Sequence, residues 1–332
     1  MRDVTGWMHM PNAEACWVSH PNEWQSLFRE WNSTRPDTTE IAVWDQFGGE
    51  QLVALTALAT GDEPDVRLLV AVPHAHEPAP TAACVNVASQ LLRGEYLDGT
   101  PTSLPVDAIR ERALVTFLPD SNPQGRSRSP ERCWDGTSAD NETFWKHAFG
   151  IASDGARFGR YPEWRLSAHH PRRVGLVYER LDADTFVEPN TSRLSSHARA
   201  TDALFERHRY THYLDMHQHE WEEATFLPSD FDEREWSDQD ALTKWASAVV
   251  AAWRNAGSNP RLKPTIPYRG QPRQQFFRDF WRGRCPGMLA LTTEVRNNRY
   301  DPTGQPTPLE YQFRMASAAL ESTLCHFLRL EP

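Results

Sequence analysis

The segment Pro73-His74-Ala75-His76-Glu77-Pro78 sets an imidazole and a carboxylate three residues apart, directly after the apolar run Val66-Arg67-Leu68-Leu69-Val70-Ala71-Val72. At the end of a buried strand, His74 and Glu77 can turn a ring nitrogen and a carboxylate oxygen onto one zinc ion. The best third ligand lies in Tyr213-Leu214-Asp215-Met216-His217, a short apolar strand that ends on a histidine beside an acid. Met288-Leu289-Ala290-Leu291-Thr292-Thr293-Glu294 is another strand-like run and ends on a carboxylate. His with Glu, a second His and a separate Glu at three strand ends describe a hydrolytic zinc site with its general base. Neighbouring histidines compete for these places. His76 shares a face with His74 if the segment is extended, although only His74 forms His-x-x-Glu with Glu77. His212 and His219 flank His217, and His217 with Glu220 makes a second His-x-x-Glu. His217 is preferred because it follows the apolar strand directly and because Asp215 can orient a ligating imidazole by hydrogen bonding.

Such groups meet only if a sheet brings its strand ends together. Trp24, Leu27, Phe28 and Trp31 lie at helical spacing over 22–33, and Ile41–Trp44 and Leu52–Thr56 read as two strands around a turn at Gly48-Gly49. An alanine-rich helix is expected over 81–93, a short helix and the strand Ala113–Leu118 over 107–118, and further helices over 192–208, 238–256 and 308–329. Helices alternating with buried strands argue for an α/β sheet, with the ligands at strand ends where such sheets carry their sites. From Pro119 to Arg173 the chain is rich in Pro, Gly, Ser, Arg and Trp, with a short helix near Phe144–Phe149. A connection this long inside a compact domain is expected to be an ordered flank of the site.

The 332 residues suit one domain with a sizeable core. A net charge of -10 with arginines spread among the acids offers no basic face for nucleic acid. No run approaches the roughly 18 apolar residues of a membrane span, and the first residues lead into polar sequence, so a soluble, cytoplasmic protein is expected. Five scattered cysteines fit neither a disulfide framework nor paired Cys-x-x-Cys zinc clusters. The thirteen tryptophans mostly pack in the core and loops, and some suit the wall of a cleft for an organic substrate.

In order along the chain, a leading helix, the hairpin at Gly48-Gly49-Glu50, the strand with His74-x-x-Glu77-Pro78, Asn122-Pro123-Gln124-Gly125, Asp215-x-His217 and Thr293-Glu294-Val295-Arg296 resemble the zinc carboxypeptidases. The resemblance implies one α/β domain, 1–332, with a mixed, mostly parallel sheet of about eight strands and helices on both faces. It also implies that His74, Glu77 and His217 bind zinc, and that Glu294 is the base in hydrolysis of a peptide-like amide. The tetrahedral oxyanion needs a cation besides the metal; Arg126, Arg128 and Arg132 follow the Asn-Pro-x-Gly turn, and family position favours Arg132. Tyr268 is similar to a mobile tyrosine that members fold over the substrate.

One departure bears on the substrate. The family's Gly-x-Asp-Leu-Asn-Arg segment, whose Asn and Arg hold a terminal carboxylate, has Gly175-Leu176-Val177-Tyr178-Glu179-Arg180 as its nearest counterpart. Glu179 in place of the asparagine is expected to repel a carboxylate or to occupy Arg180. The expectation is thus a cytoplasmic zinc hydrolase of a small peptide or amide, with two rivals: a degenerate zinc- or peptide-binding relative, and a deacylase of small N-acyl amino acids.

Overall fold

The computed structural model describes residues 11–129 and 139–330. Seven strands form the central sheet: β1 (Thr39–Asp45), β2 (Gln51–Ala57), β3 (Val66–Ala71), β4 (Ala113–Leu118), β5 (His212–His219), β6 (Ala224–Phe226) and β7 (Leu289–Arg296). Their spatial order is β1-β2-β4-β3-β5-β7-β6. β4, β3, β5 and β7 pair in parallel, while β2 and β6 run against their neighbours, so that five of the seven strands share one direction. This is the mostly parallel mixed sheet expected, with seven strands among the described residues.

The main helices are α1 (Pro21–Thr34), α2 (Pro78–Arg93), α3 (Asn141–Phe149), α4 (Ser196–His208), α5 (Trp236–Asn255), α6 (Pro272–Trp281) and α7 (Leu309–Leu328). Period-two alternation sends Leu68, Val70, Leu214 and Met216 into a core with α1, α2, α5 and α7. The intervening Leu69, Ala71 and Tyr213 meet α4 and Trp281 on the opposite face. On that second face, Tyr213, Asp215 and His217 point the same way along β5, as do Ala290, Thr292 and Glu294 along β7. The parallel register sets His217 directly beside Glu294.

The long connection expected as an ordered flank is ordered where described. Phe149, Phe158, Trp164, Val177, Tyr178 and Phe186 bury one another in a satellite core, over a small sheet of Glu163–Arg165, Thr185–Val187 and Glu179–Arg180. Among the described residues no helix is long and apolar enough to cross a membrane.

Candidate metal centre

β3 ends at Ala71, and the chain then turns so that the Glu77 N–H donates to the His74 carbonyl at 3.2 Å. α2 starts at Pro78, which leaves Glu77 at the positive end of a sixteen-residue helix, where a carboxylate is favoured. His74, Glu77 and His217 are all at least 95% buried, and their ligand atoms lie within 4.8 Å of one another. The Nδ1 atoms of His74 and His217 are 3.1 Å apart. Glu77 spans them, with Oε1 at 3.0 Å from His74 Nδ1 and Oε2 at 3.0 Å from His217 Nδ1. Ligands about 2.0–2.1 Å from a tetrahedral zinc are separated by about 3.3 Å, so these donors have the spacing of one coordination sphere. Two imidazoles and a carboxylate with a fourth direction open also match the chemistry of a hydrolytic zinc site.

The surroundings fix the ligands. Asp215 Oδ2 lies 3.0 Å from His217 Nε2, so the Nε2–H donates to the carboxylate and the Nδ1 lone pair faces the other ligands. Burial opposes a charge on His217, yet the Asp215 and Glu77 carboxylates hold its pKa well above the ordinary value. Burial likewise opposes ionised Glu77, whose pKa the three neighbouring histidines hold well below the usual range. Glu294 Oε2 is buried with no hydrogen-bond partner among the described residues. Burial pushes its carboxyl up to about 8, His217 opposing the rise and Glu77 adding to it. The competing histidines lie outside the three-ligand cluster, although His76 Nε2 comes within 3.5 Å of Glu77 Oε1. His76 stacks on His74 and packs against Phe144, Trp145 and Phe149. His219 Nε2 lies 2.8 Å from the Glu222 carbonyl, and His212 lies on the opposite face, against Phe327 and Trp245.

The expected substrate-binding residues divide. Tyr268 lines the cavity over the centre. Arg126 does not face it: the side chain is fully buried, and its guanidinium donates to the carbonyls of Ser19, His74 and Glu77 and to Thr81 Oγ1 at 3.1–3.3 Å. It ties the ligand turn to its surroundings instead of meeting a substrate. Arg128 is also taken up by backbone, donating to the carbonyls of Gln124, Gly175 and Tyr178. Glu179 is buried away from the cavity and accepts hydrogen bonds from the N–H and hydroxyl of Ser196 at the start of α4. Arg180 donates to the carbonyls of Asp182 and Ala183 and lies over the Phe47 ring. The expected repulsion of a substrate carboxylate by Glu179 therefore falls away, because neither Glu179 nor Arg180 borders the site. Arg132 lies outside the described residues. The Asn-Pro-Gln-Gly turn supports the site indirectly: Asn122 Nδ2 donates to the carbonyls of Leu176 and Val177, and a Cβ on Gly125 would collide with the Leu176 carbonyl and come within 2.7 Å of Ala75 Cβ. Only glycine lets this turn lie so close to the ligand loop.

A cation that the sequence did not single out does reach the cavity. Arg160 lines it, donates 3.4 Å to the Tyr268 hydroxyl and lies 4.5 Å from the Phe149 ring centre. It is held by Glu188, which is fully buried and accepts from Arg160 at 2.8 Å, from Arg273 at 2.8 and 3.1 Å and from Thr191 Oγ1 at 2.9 Å. Glu188 Oε1 is also 3.8 Å from His74 Nε2. Although burial opposes its charge, Arg160 and Arg273 hold Glu188 down at about 2. Two guanidiniums against one carboxylate leave one positive charge beside the centre. The cavity itself has a volume of about 840 Å³, well within the roughly 300–1,000 Å³ of small-molecule sites.

No protein-family model matches the sequence, and no curated protein matches it by sequence. Solved structures do match by fold. Thrombin-activatable fibrinolysis inhibitor superposes with a TM-score of 0.60 at 15% identity, over 96% of this chain and 76% of that one. The chain has the zinc-carboxypeptidase fold. Carboxypeptidase A from Helicoverpa armigera gives 0.58 at 13% identity, over 95% and 75% of the two chains. A metallo-carboxypeptidase from Pseudomonas aeruginosa gives 0.56 at 14%, over 93% and 69%. Within this carboxypeptidase-type fold, the His74–Glu77–His217 cluster lies where parallel strands end, the usual place for a site in an open α/β sheet.

Proposed function

We propose that the protein is a zinc-dependent hydrolase of a peptide-like amide whose substrate carries a carboxylate near the scissile bond. The observation that carries this reading is the convergence on one cavity of a three-ligand metal cluster, a carboxylate with one oxygen unpartnered among the described residues and an arginine with spare hydrogen-bonding capacity. A zinc ion held by His74, Glu77 and His217 supplies a positive charge that polarises the carbonyl, acidifies an adjacent water and favours ionised Glu294.

The chain's own groups carry the rest. Glu294 takes a proton from the attacking water as the C–O bond forms to the tetrahedral adduct, and returns it to the nitrogen as that adduct collapses and the C–N bond breaks, so the amine leaves neutral and not as an amide anion. Asp215 keeps the His217 lone pair directed at the ligand cluster. Arg160, fixed by Glu188, is suited to a substrate carboxylate, and Tyr268 beside it closes that side of the cavity. With Glu179 turned away and the Glu188 charge outweighed by two guanidiniums, Arg160 and Arg273, the Arg160 side of the cavity keeps a net positive charge, which supports hydrolysis next to a free carboxyl terminus.

Metal content per chain, measured with turnover of short peptides, tests the reading. The wild type should hold about one zinc per chain, His74→Ala and His217→Ala should lose it, and Glu294→Gln should keep it while kcat falls about 10²–10⁴-fold. A wild-type protein that stays metal-free when zinc is supplied, or a Glu294→Gln variant at full rate, overturns it.

A further inference from the structure

Among the acids of the cavity wall that hydrolysis leaves without a task, Glu220 stands next to the metal ligands in the sequence. Glu220 lies three residues beyond His217 and lines the cavity with Trp221 and, from α3, Trp145. Its carboxylate is partly buried between the indole N–H groups of Trp145 and Trp221, with the Asp301 carboxylate close enough to repel it, and it makes no ion pair among the described residues. Other acids of the wall have a counterpart: Asp215 faces His217, Asp230 pairs with Arg234 at 2.9 Å, Glu233 pairs with Arg278 at 2.7 Å, and Asp238 sits in the first turn of α5, where a helix start favours a carboxylate. A partly desolvated carboxylate beside a like charge is costly until a cation arrives, and indole faces add to the attraction.

Glu220 and Arg160 stand at opposite ends of one aromatic stretch of wall. Trp145 stacks on Phe149 with ring centres 5.1 Å apart and planes 12° from parallel, and the Arg160 guanidinium lies 4.5 Å from the same Phe149 ring. The order along the wall is therefore acid, Trp145, Phe149, arginine. We propose that the cavity receives a short peptide with both ends free, Arg160 taking the carboxylate and Glu220 taking the α-ammonium. The two ring steps between Trp145 and Arg160, 5.1 and 4.5 Å, are on the scale of two to three residues of extended chain at ~3.4 Å each, which points to di- and tripeptides as the substrate class. This rests on the hydrolytic reading for the bond that is cut, but the holding of the two ends is independent of turnover.

The test is a binding measurement on zinc-loaded Glu294→Gln protein, so that the outcome does not depend on catalysis. Calorimetry would compare a free tripeptide, its N-acetyl derivative, and an N-acetyl tripeptide whose first residue is lysine. The free tripeptide should bind about tenfold more tightly than its acetylated form, the scale of one charge-assisted contact. Adding Glu220→Gln should erase that difference while leaving the acetylated peptide unaffected, and Asp301→Asn should reduce it in part. Equal binding of free and acetylated peptides overturns the proposal, as does a difference that survives Glu220→Gln. An acetylated lysine peptide that matches the free tripeptide overturns the α-ammonium assignment in favour of a side-chain amine.

Discussion

His74, Glu77 and His217 come from two strand ends and one tight turn, whereas Arg160, Glu188 and Arg273 are gathered from a loop, a short strand's end and the first turn of α6. The two groups are neighbours, joined by the 3.8 Å approach of His74 to Glu188. They are nonetheless held in different ways. The ligand corner is fixed by backbone: strand register, the start of α2, and a buried arginine that grips carbonyls of the turn. The anchor is fixed by charge, with one buried carboxylate drawing two guanidiniums together. A site can thus combine a rigid metal corner with a substrate wall whose geometry depends on the balance of a few charges.

The sharpest break between the two regions is predicted at Arg126. Its guanidinium is fully buried, holds the ligand turn and lies 3.9 Å from the buried Asp120 carboxylate. Arg126→Met removes the tether and leaves Asp120 without its compensating charge, at a cost of about 3–5 kcal/mol. Urea unfolding should show that loss, and zinc affinity should drop with it, although Arg126 touches no ligand atom. An arginine that instead bound substrate would, when replaced, raise KM with stability unchanged.

How much of this was legible in the sequence follows the same division. The hairpin, the α2 segment and the strands ending at His217 and Glu294 are encoded by local period and spacing, and a period of two fixes which side chains share a face. The three-residue β6 is too short for any periodic signal, and α6, mixing Arg, Gln and Phe after Pro272, carries no clear helical stripe. The substrate wall has no local signature at all. Arg160, Glu188 and Arg273 are brought together only by tertiary packing, and nothing in the spacing of their neighbours separates them from surface residues. The sequence reading instead favoured arginines next to a recognisable turn, and the described ones, Arg126 and Arg128, proved to serve the backbone. Glu179 misled for the same reason: its residue type suggested a role in the site, but its hydrogen bonds lie at the start of α4.

A smaller effect is predicted at the anchor. Glu188→Gln preserves shape but leaves Arg160 and Arg273 without their shared counter-charge, so Arg160 should lose its fixed position against Tyr268 and Phe149. KM for peptides with a free carboxyl terminus should rise about 10–100-fold, with kcat changed much less, because binding is affected more than the ligand corner. Carboxyl-amidated peptides should show little difference between wild type and variant. A purely structural role would instead weaken both substrates alike.

The smallest effect is predicted at Glu179, which the sequence placed in the site and the structure places under α4. Glu179→Gln keeps one acceptor for Ser196 and should cost about 1 kcal/mol or less, with the preference between free and amidated peptides unchanged. Its pH dependence provides a sharper reading. Burial raises the Glu179 pKa in the folded protein, against the opposing hydrogen bonds from Ser196. A carboxyl whose folded pKa lies above its unfolded value binds more protons when folded, so the wild type loses stability as pH rises from 4.5 through the raised value. The glutamine variant lacks that slope. Its stability relative to wild type should therefore improve as pH rises across the carboxylate range, while the ratio of rates on free and amidated peptides stays flat. Movement of that ratio with Glu179 would return this residue to the substrate wall and erase the distinction between the two regions.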